Sequence, residues 1–232
     1  ITWCASRETN MASNGAMSTK KAKEWRAAQD SKALILKDHD YRRIQAMVDV
    51  LKRKRSVMKL LEKGFAQKSG IFKLPDICGD NVWAKIRPDW ICGAYEDGPM
   101  VVDYKSTEDA SFEAFQRLVF NMRYHWQAAL YCMGATAING VTHKRFAWIV
   151  QERSEPFECA VYEADQDMLS IARKQMLPLL KLWGRLQNGQ EEWTRGYPDV
   201  MQKLALPYWA EKKVEGVLER LEMLESLEKG GA

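Results

Sequence analysis

The sequence has 232 residues, 46% hydrophobic and 28% charged, which supplies one sizeable core and excludes wholesale disorder. No apolar run approaches the roughly 18–20 residues of a membrane-spanning helix, so an integral helical membrane protein is excluded. With 35 basic against 31 acidic residues the net charge is +4, a surplus that permits a nucleic-acid partner without demanding one. Cys4, Cys78, Cys92, Cys132 and Cys159 are odd in number and form no CxxC pair. That argues against a disulfide framework and a structural zinc site, and for a reducing cytoplasm.

Residues 1–18 are small and polar without a sustained period and predict a loop; the opening Ile1 reads as the edge of a piece of a longer chain. Ser18 or Thr19 can cap a first helix over 19–31. Asp38 or Asp40 can cap a second, with Ile44, Met47, Val48, Leu51, Val57, Leu60 and Leu61 along its apolar face and Gly64 at its end. The run Lys52-Arg53-Lys54-Arg55 lies in this helix and suits either a solvated face or DNA-backbone contacts. Strand patterns follow at 67–74 and 82–91, with the turn Cys78-Gly79-Asp80-Asn81 between them. A third, Met100-Val101-Val102-Asp103-Tyr104, is short and apolar as a buried strand should be. One long helix over 111–137 carries Phe115, Leu118, Val119, Met122, Trp126, Ala129, Leu130 and Met133. Strands at 145–152 and 157–163 come next, then a helix over 165–188. A last helix runs from 207 onward with Leu218, Leu221, Leu224 and Leu227 repeating along it. Trp83, Trp126 and Trp148 sit in core-like patterns, so packing rather than base stacking is expected of them. The order predicts one α/β domain over 19–210, a mixed sheet flanked by helices, after a loop at 1–18. Residues 211–232 form a helix available for assembly.

Asp89, in Arg87-Pro88-Asp89-Trp90, and Asp103 and Lys105, in Val102-Asp103-Tyr104-Lys105-Ser106, interrupt apolar strands where packing alone would not put them. Side chains alternate along a strand, so Asp103 and Lys105 share a face that Tyr104 does not. A hairpin between the second and third strands brings Asp89 beside Asp103. Two adjacent carboxylates repel when both are ionised, and a divalent cation such as Mg²⁺, which prefers oxygen ligands, resolves that repulsion. A neighbouring ammonium can hold a metal-polarised water, completing the parts of a phosphodiester hydrolase. Gln127 and Tyr131, four apart on a helix, share a face that can point at the same pocket. Arg87 and the 52–55 run are candidate backbone-phosphate contacts, because an enzyme that digests any sequence gains nothing from reading bases.

These segments, with Glu108-Asp109-Ala110-Ser111-Phe112-Glu113-Ala114-Phe115 and Tyr124-His125-Trp126-Gln127-Ala128-Ala129-Leu130-Tyr131, resemble the PD-(D/E)xK nuclease superfamily. They are most similar to the nuclease domain of its exonuclease VIII (RecE-type) branch from phages and prophages. The tail segments at 193–197 and 204–209 share the likeness, which spans about residues 20–210. The resemblance implies a restriction-endonuclease-like core and a Mg²⁺-dependent exodeoxyribonuclease, with Mn²⁺ able to substitute. Such an enzyme degrades linear double-stranded DNA processively, 5′→3′, and leaves 3′ tails for a single-strand annealing recombinase. It further implies a homo-oligomeric ring, most simply a tetramer, in the bacterial host cytoplasm with no membrane partner. Asp89 and Asp103 match the metal ligands, Lys105 the catalytic lysine, and Gln127 and Tyr131 the supporting helix. The sequence departs from the branch in two places. The upstream histidine-bearing helix is not found, His39 being a poor substitute, and neutral Gln67 stands where a first-strand carboxylate is common. The competing readings are a RecB-like or restriction-type endonuclease and a DNA-binding or scaffold module without turnover.

Overall fold

The computed structural model describes residues 3–6, 18–29, 34–79, 82–95, 98–192, 196–197 and 199–230. The chain divides into a unit of residues 1–192 and a unit of residues 193–232. In chain order the first contains β1 (Trp3–Ser6), α1 (Lys20–Ala27), β2 (Leu34–Lys37), α2 (Asp38–Arg53), α3 (Arg55–Leu61), β3 (Gly64–Ala66) and β4 (Gly70–Lys73). There follow α4 (Pro75–Cys78), β5 (Trp83–Ile86), β6 (Trp90–Tyr95), β7 (Gly98–Thr107), α5 (Phe112–Asn121), α6 (Tyr124–Asn139), β8 (Arg145–Glu152), β9 (Cys159–Glu163) and α7 (Gln166–Gln187). The second unit contains α8 (Tyr208–Gly230). No helix among the described residues is long and apolar enough to cross a membrane.

The main sheet has the order β3-β6-β7-β8-β9, with β7 and β8 parallel and the other pairs antiparallel. This is the expected mixed sheet flanked by helices. β7 and β8 are covered on both faces, which is why their apolar residues run almost without interruption. The period of two sorts them between two cores. Val101, Phe146, Trp148 and Val150 pack with Phe115, Ala128, Cys132, Leu169 and Ala172 under α5, α6 and α7. Met100, Val102, Ala147 and Ile149 pack with Val50, Val57 and Leu60 under α2 and α3.

Several predicted elements divide differently. The helix expected over 111–137 is two helices, interrupted at Met122-Arg123, with Arg123 at φ 56°. The second predicted helix breaks at Lys54, whose ψ of 110° is extended. Gly64 does not merely end it but opens β3, where a Cβ would come within 2.3 Å of the Ile91 carbonyl oxygen. The strand read over 82–91 is β5 and β6, separated by Arg87-Pro88-Asp89, because proline has no N–H to continue a ladder. The strand read over 67–74 is likewise only β4, which pairs with β5 in a small sheet of its own. Trp3–Ser6, within the predicted loop, is a strand pairing in parallel with β2; residues 7–17 lie outside the described ones. Trp148 is buried as expected, whereas Trp83 is 62% exposed. It lies under the Lys73 ammonium, 4.7 Å from the ring centroid. The side chains of Leu221, Leu224 and Leu227 lie outside the description.

Candidate active site

The β6–β7 hairpin pairs Trp90 with Val102, so Asp89, one residue before β6, lies across from Asp103. The Tyr104 backbone N–H donates to Asp89 Oδ2 at 2.9 Å and fixes that carboxylate against β7. Asp103 is 3% exposed. Burial pushes its carboxyl above the usual carboxylate range; the Lys105 ammonium opposes the rise and the neighbouring Asp89 carboxylate adds to it. Lys105, two residues on and therefore on the same face, forms an ion pair with Asp103 Oδ2. Its Nζ also donates to Gln127 Oε1 at 3.1 Å, and Gln127 Nε2 reaches Asp103 Oδ1 at 3.4 Å. The amide thus bridges lysine and carboxylate from α6. Tyr124, three residues before Gln127, places its ring centroid 4.6 Å from the Lys105 ammonium, a cation–π contact.

Asp103 Oδ2 faces the Lys105 ammonium in that ion pair, and a carboxylate oxygen has a second lone pair that a cation can share. Among the described residues no three His, Cys, Asp or Glu side chains gather as a complete metal cage. Two adjacent carboxylates suit Mg²⁺, which keeps several waters and rarely takes an all-protein cage. The residues present therefore fit such an ion, with Asp89 and Asp103 as its holders.

The other sequence candidates are distributed around this centre. Tyr131, one turn beyond Gln127, packs on Phe146 with ring centroids 6.5 Å apart. Among the described contacts it makes none with either carboxylate. Arg87 donates to Gln67 Oε1 at 2.8 Å, and the Gln67 N–H donates to the Asp89 carbonyl at 3.0 Å. Gln67 thus stands beside the Asp89 turn, in the left-handed region at φ 43°. Lys52, Arg53 and Arg55 are exposed, but Lys54 pairs with Glu158 at 2.9 Å. That bond raises the lysine above its usual value and lowers the glutamate. Lys52 and Arg53 end α2, Arg55 opens α3 and Lys54 is the extended residue between them, so all four lie on the α2–α3 side, across the sheet from Asp103. His39 is exposed and pairs with Asp40 at 3.2 Å. His125 is buried, its ring nitrogens 3.1 Å from the Val119 carbonyl and 3.2 Å from Gln175 Oε1. His143 is buried against the Val141 carbonyl at 2.7 Å. Sequence reasoning missed Tyr124 as a member of the site; its spacing of three from Gln127 was the available signal.

The profile of a family described as "PDDEXK-like domain of unknown function (DUF3799)" matches residues 10–201. No curated protein matches the chain. Among solved structures, the chain is similar to a candidate exonuclease from Eubacterium rectale, with 15% identity and a TM-score of 0.51. That alignment covers 80% of this chain and 70% of that one, and at this identity the likeness is one of fold. A second, SSO0001, aligns over 53% of this chain and 54% of its own at 15% identity and a TM-score of 0.33, too low to speak for a shared fold. The family match spans most of the chain, including Asp89, Asp103, Lys105 and Gln127, and the chain belongs to the PDDEXK-like family.

Proposed function

We propose that the chain is a divalent-metal-dependent nuclease, specifically an exodeoxyribonuclease that degrades linear duplex DNA. The observation that carries this reading is the buried Asp103 carboxylate ion-paired with Lys105, with Asp89 on the adjoining turn. Burying a charge is costly even when it is paired, and holding a metal ion is a task for which such a cost would be kept. PDDEXK nucleases are generally metal-dependent, and the family membership supports the class.

In this reading Asp89 and Asp103 hold a Mg²⁺ ion, which when bound neutralises and polarises the scissile phosphate. Lys105, oriented by Gln127 and covered by the Tyr124 ring, hydrogen-bonds the attacking water and aims it at phosphorus. Hydrolysis forms one P–O bond to that water, which releases its proton to solvent, and breaks one ester bond, whose departing oxygen takes a proton from solvent. Asp103 must be ionised for this work. Arg87 and the exposed Lys52, Arg53 and Arg55 serve as backbone-phosphate contacts. The last three, on the far side of the sheet, reach DNA only away from the scissile phosphate.

The finer reading is a processive 5′→3′ enzyme that hands 3′ tails to a single-strand annealing protein in the bacterial cytoplasm and assembles as a tetrameric ring. It rests on the resemblance of the sequence to the exonuclease VIII branch. Val214, Val217 and Leu218, exposed at helical spacing on α8, support assembly through a second copy. The test is digestion of linear duplexes labelled at one 5′ or one 3′ end, with Mg²⁺ and with EDTA, beside a closed circle. Mg²⁺-dependent release of the 5′ label first, with the circle intact, is the expected result. Nicking of the circle would make the chain an endonuclease, and binding without cutting would make it a scaffold. A monomeric mass in sedimentation would overturn the ring.

A further inference from the structure

Arg123 stands between α5 and α6 with φ 56° and ψ 31°, a left-handed conformation that glycine adopts freely and arginine does not. The turn divides what the apolar period reads as one helix, and a glycine would make it without strain. What arginine adds is its side chain. That side chain is exposed yet restrained: its guanidinium carbon lies 4.8 Å from the Phe120 ring centroid and 5.6 Å from that of Trp126. The Arg123 guanidinium also donates to the Phe120 carbonyl at 3.4 Å. Trp126 is anchored in turn, its indole N–H donating to Gln175 Oε1 at 2.8 Å. Among the described residues no carboxylate pairs with Arg123.

The location gives this cation its meaning. The next residue, Tyr124, covers the Lys105 ammonium, and the Arg123 carbonyl accepts the Gln127 N–H at 3.3 Å. Arg123 therefore sits at the helix start from which Tyr124 and Gln127 reach the Asp103–Lys105 pair. A guanidinium held by aromatic faces, with one nitrogen on the Phe120 carbonyl, has further N–H donors for a planar contact with phosphate oxygens. Residues kept in unfavourable backbone regions tend to gather at functional sites, and here the strained residue is also a cation without a counter-ion.

We propose that Arg123 binds a strand phosphate next to the one being cut, and so sets where the nucleic-acid strand enters the site. This rests on the hydrolase reading above. The test compares the full 232-residue chain with R123G, R123N and R123K on linear duplexes bearing 5′-phosphate or 5′-hydroxyl ends. Glycine and asparagine both tolerate the left-handed turn, so each deletes the cation without disturbing the backbone. R123G and R123N are expected to melt no lower than wild type and to raise KM roughly tenfold, with a smaller change in kcat. Their log–log salt slope for DNA binding should fall by about one. R123K, which keeps the charge and loses the fork, should lie between.

Equal loss on both ends assigns a backbone phosphate, and loss confined to phosphorylated ends assigns the terminal one; either supports a phosphate contact. Unchanged KM and salt slope in both R123G and R123N would overturn it. So would lower melting in both variants with hydrolysis falling in step, because Arg123 would then be structural. A wild-type chain that cuts no DNA with Mg²⁺ sinks the hydrolase reading itself, whereas wild-type turnover with unmoved variants sinks only the arginine.

Discussion

On one face of β7 the Tyr104 hydroxyl donates to Gln151 Oε1 at 2.9 Å; on the other, one residue back, the Asp103 carboxylate faces the Lys105 ammonium and the neighbouring Asp89 carboxylate. Both faces bury a polar group in an apolar sheet, and they treat it differently. Gln151 is 0% exposed, and its amide donates to the Met47 carbonyl at 2.9 Å and the Phe157 carbonyl at 3.1 Å. It thereby ties β8 to α2 and to the loop before β9, with each of its polar atoms bonded. Asp103 keeps a charge that burial opposes and that Lys105 only partly answers. A completed buried network stabilises the fold, whereas an incomplete one is kept where something must bind. The α2–α3 side is therefore read as structure and the α6 side as chemistry, and mutation can break that division.

The largest effects belong on the α6 side. Asp103→Asn keeps the shape and removes the charge, so Mg²⁺-dependent hydrolysis should fall below about a tenth of wild type while the fold persists. Lys105→Ala should lower kcat by roughly 10²–10⁴, the range for a positioned proton-transfer or charge-stabilising group. Single-turnover hydrolysis measures both. A Lys105→Ala change confined to KM would make the lysine a phosphate contact and leave the water without its holder.

Because burial raises Asp103 above the ordinary aspartate range in the metal-free chain, protons should begin to compete with Mg²⁺ for it above the pH at which an exposed aspartate ionises, and the apparent Mg²⁺ affinity should fall there. The same shift has a stability consequence. Between the unfolded and folded pKa values the native state holds the extra proton, so stability falls as pH rises through that window. The loss is complete above the folded value. Asp103→Asn should therefore melt no lower than wild type at neutral pH in metal-free buffer. Any such advantage should shrink as pH falls from the raised folded value towards the ordinary aspartate value. A neutral-pH melting point well below wild type would show that Asp103 holds the fold together and would blur the two faces.

On the other face the prediction is reversed. Gln151→Leu retains bulk but strands two carbonyls and a phenol, and should cost about 2–3 kcal/mol. Denaturant unfolding reads the loss. Per folded molecule, kcat should stay near wild type, because none of the Gln151 contacts reaches Asp89, Asp103 or Lys105.

The sequence displayed much of this division. The alternation Asp103-Tyr104-Lys105 put the charged pair on one face, and the hairpin reading put Asp89 opposite Asp103, because a period of two and antiparallel register are local properties. The break at Arg123 was not legible. Asn121-Met122-Arg123-Tyr124 contains neither glycine nor proline, so tertiary packing, not local propensity, stops α5. The break at Lys54 is of the same kind, and there an ion pair with Glu158, 104 residues away, helps to hold the extended residue. Gln151 was invisible for a related reason: a lone polar residue at a strand end gives no hint that it is fully buried until its partners on three other segments are assembled.

The smallest expected effect is also the sharpest test of the division, because it concerns a single residue that serves both faces. Tyr104 contributes its backbone N–H to Asp89 and its side chain to Gln151. Burial holds the phenol above its ordinary pKa, so at neutral pH it is a donor and not an anion. Tyr104→Phe deletes the hydroxyl alone and leaves Gln151 Oε1 without that donor, a loss of about 1 kcal/mol. For a chain of this size that is a fall of roughly 2–4 °C in Tm. The backbone N–H is untouched, so Asp89 remains fixed against β7 and kcat should match wild type within about twofold, a difference of some 0.4 kcal/mol in the barrier. Calorimetry and steady-state hydrolysis on the same preparation separate the two contributions. A Tm change with unchanged kcat means that the chemistry reads only the peptide of Tyr104. A fall in kcat with unchanged Tm would mean that the phenol reaches across the strand into the site, and the two faces of β7 would have to be treated as one.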